Sequence, residues 1–387
     1  VLNTVIGQST VGTISGFDSN SRPILTAVPF LNFALDSRST GMGDAGVATS
    51  PDANAVFWNA SKLAFAQDKI SASLTYNPWL RGIGVSDMFL TSLSGYYKVD
   101  DKQAVGGEIR YFNLGDIQFT DNNAAVIMNF VPREWAGSLS YARKLGKQFS
   151  MSVTGRFINS NLTGDFSNGG LEAKPGRSIA ADVGFFYVIP SIKLGKKDGN
   201  LNLGANISNI GQKMSYVNDG TTDFLPANLR IGAALTMNLD EMKKNQLTFV
   251  LDANKLLVPS PPVYNAQGVI VKGSSTNKPL LSGTFGSFND APDGFGEEMR
   301  EFILNGGMEY WYNQTFAARV GYFYEDKNKG NRKFFTLGAG FRNKQFGIDV
   351  SYLIPQATRN NALDGTLRFT LIGYFNGDSK TKVLEAN

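Results

Sequence analysis

The chain has 387 residues, 42 of them glycine, with no cysteine and no histidine. That double absence removes disulfides, thiolate nucleophiles, Cys/His zinc sites and histidine acid–base catalysis, because each needs a side chain this protein lacks. Charged residues are sparse, 18%, and nearly balanced at 37 Lys plus Arg against 33 Asp plus Glu, so nothing in the composition calls for nucleic acid as a partner.

No run approaches the ~18–20 apolar residues of a membrane-spanning helix. Val1 does not open a basic, apolar signal peptide, so the expectation is either a cytoplasmic chain or one whose signal has been removed. A mean hydropathy of -0.16 leaves a membrane β-barrel open, since barrel strands alternate and contain no long apolar run.

Residues 1–21 are expected to be a flexible N-terminal segment. Residues 22–68 do not read as a strand ladder: they carry Pro23, Pro29 and Pro51 and the run Gly41-Met42-Gly43-Asp44-Ala45-Gly46. That run formally matches G-x-G-x-x-G, but a phosphate loop needs a preceding buried strand within a βαβ unit, and none is present. The segment reads instead as a compact plug in which glycines allow close turns, and a short helix within 52–63 packs Phe57 and Trp58 inside a barrel mouth.

From residue 69 onward the period is two. Phe149, Met151, Val153, Gly155 and Phe157 alternate with Ser150, Ser152, Thr154 and Arg156, as a strand with one apolar face requires. The same pattern predicts strands at 69–76, 87–98, 103–113, 134–145, 148–159, 178–189, 200–211, 225–237, 245–255, 301–311, 314–325, 332–342, 345–354 and 364–375. Short connections (Lys98–Gln103, Leu145–Gln148, Trp311–Gln314, Arg342–Gln345) alternate with long ones (114–133, 160–177, 212–224, 256–300). Outer-membrane barrels have this asymmetry, with short periplasmic turns, long extracellular loops and an even strand number that places both termini in the periplasm. The polar segment 376–387 then reads as a periplasmic tail.

Two soluble β-sandwiches would also alternate and fit the length. The faces separate the alternatives. The apolar face of the clearest strands carries no ionisable residue, while the other holds Glu108, Arg110, Arg156, Asp182, Arg230, Asp252, Arg319, Asp349 and Arg368 among Ser, Thr, Asn and Gly. Lysines crowd the connections (Lys193, Lys196, Lys197, Lys243, Lys244, Lys327, Lys329), and Tyr96, Tyr97, Tyr141, Tyr310, Trp311, Tyr322, Tyr324, Tyr352, Tyr374 and Phe375 stand near strand ends as aromatic girdles do. The fold class predicted is therefore all-β: a transmembrane outer-membrane barrel (69–375) of about fourteen antiparallel strands with an N-terminal hatch or plug (22–68).

The stretch from Phe30 through Thr49, followed by Asp52, Ala53 and Trp58-Asn59, resembles the PorV (LptO) family of the type IX secretion system, within the broader FadL-like fourteen-stranded barrels. Leu225-Pro226-Ala227-Asn228 is similar to a strand start found in those barrels. The matching hatch residues are Gly41, Met42, Gly43, Asp44, Gly46, Asp52, Trp58 and Asn59; where the family continues Asn-Pro-Ala, this chain has Asn59-Ala60-Ser61. The resemblance implies a non-catalytic outer-membrane shuttle without cofactor. Such a protein receives cargo, by its C-terminal signal domain, from a SprA/Sov-like translocon and presents it to a PorU-like sortase complex. The competing function is FadL-type passive transport of apolar solutes, which needs an apolar lumen; the inward positions here are mostly polar.

The connection 256–300 is more apolar than a fully solvated loop, and Val258, Pro261, Pro262, Tyr264, Ile270, Phe285 and Phe288 are its candidate partner-binding residues, with a lid over the lumen as the compatible alternative. Connection 114–133, with Val126, Ile127 and Met128, carries the same ambiguity. The adjacent carboxylates Asp100-Asp101 and Glu297-Glu298 are expected to be solvated.

Overall fold

The computed structural model describes residues 21–375 except 82–83, 121–122, 124, 163, 165–166, 169–170, 196, 219 and 357–364. The expected N-terminal segment up to residue 20, the tail 376–387 and Lys196 lie outside the described residues. The plug comes first: a 3-10 turn Pro29–Asn32, α1 Ser37–Thr40, α2 Ala55–Trp58 and a second 3-10 turn Ala60–Phe65. The helix predicted within 52–63 is thus present, broken at Asn59, and Phe57 and Trp58 are buried as expected.

Fourteen antiparallel strands then close a barrel: β1 Ile70–Pro78, β2 Phe89–Lys98, β3 Gln103–Asn113, β4 Arg133–Lys144, β5 Phe149–Asn161, β6 Gly176–Leu194, β7 Lys197–Gly211, β8 Asn228–Asn238, β9 Asn245–Leu256, β10 Phe302–Tyr312, β11 Phe316–Tyr324, β12 Lys333–Arg342, β13 Phe346–Pro355 and β14 Leu367–Phe375. Each predicted strand has its counterpart. Pairing of β1 with β14, from Ile70 opposite Phe375 to Tyr76 opposite Phe369, removes the last open edge. Closure is what allows a sheet to lie in hydrocarbon, where no water can satisfy an unpaired N–H or C=O.

The faces are inverted relative to a soluble protein. Leu139 is 72% exposed and Leu251 69%, alongside exposed Leu74, Leu93, Ile109, Val153, Ile179 and Leu371, whereas all nine predicted inward charges are buried. A sandwich would bury the first set and solvate the second. The apolar exterior instead faces lipid, so the barrel is a membrane barrel of the outer-membrane type. Three of the girdle aromatics do not join that exterior: Tyr96, Trp311 and Tyr374 turn inward to line the short-turn mouth.

One further expectation is corrected at the long-connection mouth. Arg22 donates its backbone N–H to the Asn328 carbonyl (2.7 Å) and its guanidinium to Asp293 and Glu297, all in connections at that mouth. Ile70, by contrast, pairs with Tyr97 and Phe375 at the opposite, short-turn mouth. The described chain therefore enters beside the long connections and threads the lumen before β1 begins. Arg22 thus stands at the long-connection mouth and Phe375 at the short-turn mouth, while the two ends of the chain lie outside the described residues. Glu297 and Glu298 are not solvated as expected: they are 2% and 3% exposed, compensated by cations distant in sequence. Asp100 and Asp101 are exposed as expected.

The long connections hold structure too short for alternation to reveal. Hairpins form from Ile117–Thr120 with Val126–Phe130, Ser167–Asn168 with Leu171–Glu172, and Val263–Tyr264 with Ile270–Lys272; α3 Leu280–Gly286 and α4 Phe295–Arg300 follow within 256–301.

Candidate functional site

The glycine-rich run is a packing device between plug and wall. Gly43 has φ 72°, in the left-handed region, and a Cβ there would stand 2.5 Å from the Tyr322 carbonyl oxygen. The wall answers with glycine of its own, since a Cβ on Gly321 would overlap the Met42–Gly43 backbone. Gly46 lies against the Trp58 ring, 2.5 Å from where its Cβ would be. The backbone N–H groups of Gly46 and Val47 both donate to Asp252 Oδ2 of β9, at 2.7 and 2.9 Å. The paired amides that a phosphate loop would offer an anion are thus occupied by the barrel's own carboxylate.

Adjacent plug residues complete the frame. Asp36 caps α1 by accepting from the Ser39 N–H at 2.9 Å, and its other oxygen accepts from Trp58 Nε1 at 2.5 Å, tying α1 to α2. Asn59 Nδ2 donates to the carbonyls of Val47 and of Phe185 on β6, while its Oδ1 accepts from the Ser61 N–H and hydroxyl. Ser61 thereby helps fix the turn that follows Asn59.

A chain of buried ion pairs joins this frame to the wall. Arg38 donates to Glu309 (Nη2–Oε1 2.8 Å, Nε–Oε2 2.9 Å) and to Asp52 (2.9 Å); Glu309 also accepts from Arg319, which continues to Asp349 and so to Arg342. Asp44 pairs with Arg368 at 3.4 Å. Lys62 Nζ donates to the Gly46 carbonyl and to Thr49, and Arg110 donates to the carbonyls of Leu31 and Phe33. Arg110 and Arg230 both make cation–π contacts with the Phe57 ring, at 4.4 and 4.7 Å from its centre. Arg38, Lys62 and Glu309 escaped sequence reasoning; for Glu309 the inward parity of Gly307-Met308-Glu309 was the available signal.

The two halves of the lumen differ. Toward the long connections, Phe30, Leu31 and Leu35 of the plug fill the barrel against Leu90, Phe112 and Ile158, which are inward and apolar. Toward the short turns lies a vestibule of about 1100 Å³ whose lining residues, including Arg38, Asp52, Lys243, Trp311 and Arg342, are mostly of polar type.

Over the other mouth the long connection is pinned by a second ionic knot. Lys255 pairs with Glu298 and Glu301, and Lys329 with Glu297 and Glu301 at 2.7 and 2.8 Å. Burial pushes the Glu297 carboxyl up, but hydrogen bonds from Arg22 and Lys329 outweigh that and hold it below its ordinary value. The candidate loop residues divide accordingly. Val258 and Pro262 are buried, Pro261 and Ile270 half-buried, and Tyr264, Phe285 and Phe288 exposed beside exposed Leu281 and Phe295.

A closed fourteen-stranded barrel with a lipid-facing apolar exterior and an N-terminal plug wedged in its lumen defines a plugged outer-membrane β-barrel. The chain belongs to the family of the type IX secretion system protein PorV, whose model matches residues 17–263. A comparison with curated proteins gives no match. Among solved structures, the chain is similar to a deletion mutant of TodX, a monoaromatic hydrocarbon channel, the parent being from Pseudomonas putida, at 13% identity over 87% of this chain and 97% of that one, TM-score 0.50. It is also similar to the toluene transporter TbuX of Ralstonia pickettii (13% identity, 88% and 98% covered, TM-score 0.46) and to a FadL homologue of Pseudomonas aeruginosa (12%, 92% and 100%, TM-score 0.44). The fold comparison rests on the first, and at that identity it concerns the fold alone.

Proposed function

We propose that the protein is a non-catalytic shuttle of the type IX secretion system. It takes cargo, by the cargo's C-terminal signal domain, from a SprA/Sov-like translocon and delivers it to a PorU-like sortase and attachment complex at the cell surface. Family membership supports the secretion role. The observation that carries the shuttle over a conduit is the plug, which is bonded to the wall on several sides by buried charges and glycine seams. On this reading the long connections are extracellular, the short turns periplasmic, and the exposed Tyr264, Phe285 and Phe288 are the surface offered to protein partners.

Passive transport of apolar solutes is the second reading, favoured by the barrel's likeness to a hydrocarbon channel. Against it stand the apolar half of the lumen filled by plug side chains and the mostly polar residues that line the vestibule. Deleting the gene in its source cell tests the choice: the shuttle reading expects cargo to lose surface attachment and accumulate unprocessed. Normal secretion, with defective uptake of a labelled fatty acid, would overturn it.

A further inference from the structure

The short-turn mouth carries a repeated device. Three outward tyrosines near strand ends have their hydroxyls anchored by an amide at or just before the start of the neighbouring strand: Tyr141 donates to Gln103 Oε1, Tyr187 to Gln148 Oε1 (2.9 Å) and Tyr310 to Asn245 Oδ1 (2.6 Å). Tyrosines so placed, ring in the apolar band and hydroxyl at its border, mark the level where hydrocarbon gives way to headgroups. Just beyond that level, in the sector formed by β1 to β5, stand Lys102, Arg143 and Lys147, all exposed. None of the three makes an ion pair among the described residues; the turn between β4 and β5 contains no carboxylate, and in the turn between β2 and β3 Asp101 pairs with Lys98 while Asp100 accepts from the backbone N–H groups of Lys102 and Gln103. Lys69 joins them, its Nζ 5.9 Å from the centre of the outward Tyr97 ring.

At the opposite mouth Lys255, Lys272, Lys278, Lys329 and Arg332 are each tied to a carboxylate, while Arg133, Arg177 and Lys327 are exposed and make no ion pair among the described residues.

We propose that Lys102, Arg143 and Lys147, with Lys69 and the Tyr97 and Tyr141 rings, bind the phosphate headgroup of an anionic phospholipid in the leaflet adjoining the short turns. The guanidinium of Arg143 supplies paired donors to phosphate oxygens, the lysines supply charge, and the tyrosines pack against the glycerol and upper acyl chain. The assignment of that leaflet as periplasmic rests on the orientation proposed above; the binding itself does not.

The test uses the full chain in nanodiscs of phosphatidylcholine doped with phosphatidylglycerol, with retained lipids counted by native mass spectrometry. The parent is expected to retain phosphatidylglycerol above its proportion in the bulk. The triple variant Lys102→Gln/Arg143→Gln/Lys147→Gln is expected to lose that enrichment, the charge-preserving Lys102→Arg/Arg143→Lys/Lys147→Arg to keep it, and Lys327→Gln at the other mouth to leave it unchanged. Heat-modifiable gel migration confirms that each variant is folded. No enrichment in the parent, or equal enrichment in the triple variant, would overturn the site. So would capture of soluble polyglutamate by the parent without phosphatidylglycerol enrichment, which would assign the rim to an acidic protein.

Discussion

Arg38 of the plug and Glu309 of β10 form a two-pronged, buried ion pair that fastens the N-terminal segment to the barrel wall. Both charges have been taken out of water, so each depends on the other and on its remaining partners, Asp52 for Arg38 and Arg319 for Glu309. Removing one member of such a pair costs about 3–5 kcal/mol, because the other is left buried and uncompensated. Arg38→Met and Glu309→Gln are each expected to lower the unfolding free energy in micelles by that order. The double variant should lose clearly less than the sum. Additive losses in urea titrations would show that the pair does not couple plug to wall.

The glycine seam makes a second, steric prediction. Valine at Gly321 has no room beside Met42 and Gly43, so Gly321→Val should unseat the plug while leaving β11 paired. Trypsin is the probe. Arg38 and Lys62 are buried in the parent and should become cleavable in the variant. A protected plug in a folded Gly321→Val barrel would contradict the packing described.

The ionic knot at the long-connection mouth predicts a pH dependence. Glu297 is held below its ordinary value of 4.5 in the folded state. A depressed carboxyl contributes stability that is present above the unfolded value and is lost as pH falls through the folded one. The stability gap between the parent and Arg22→Met should therefore be full at neutral pH and close only as the solution is acidified below the ordinary glutamate range. A gap that stays constant through strong acid, measured by thermal unfolding in micelles, would mean that Arg22 acts by packing alone.

The orientation of the two mouths is open to labelling. Lys327, exposed in the connection between β11 and β12, and Lys147, exposed in a short turn, lie at opposite ends, and the chain has no cysteine of its own. A membrane-impermeant maleimide applied to intact cells is expected to label Lys327→Cys and not Lys147→Cys. The reverse pattern would invert the proposed topology.

The strands were legible because alternation is local: Phe149 to Phe157 reveal their two faces without reference to any other segment. The inward charges were legible for the same reason, and Phe57 and Trp58 stood out as large apolar residues in a segment with no strand pattern. What was hidden depends on partners distant in the chain. Glu297 and Glu298 look solvated until Lys255, Lys329 and Arg22 are brought beside them. The route of the plug was equally hidden, since nothing between Arg22 and Ala66 encodes the mouth by which it enters. The glycine-rich run was visible as a motif, but its use became clear only with Asp252 against the Gly46 and Val47 amides and Gly321 against Met42.

On the proposed function, the lumen is not the route of transport. Thr40 of the plug and Ser351 of β13 have their hydroxyl oxygens 2.7 Å apart, and no native cysteine can interfere with a bond engineered there. Thr40→Cys/Ser351→Cys, oxidised in the cell, would lock the plug to the wall. This locked variant, introduced into cells lacking the parent, is expected to restore surface-attached cargo to the parental level with or without reductant. Loss of secretion in the oxidised state, recovered on reduction, would show that the plug must move and would contradict the proposed function.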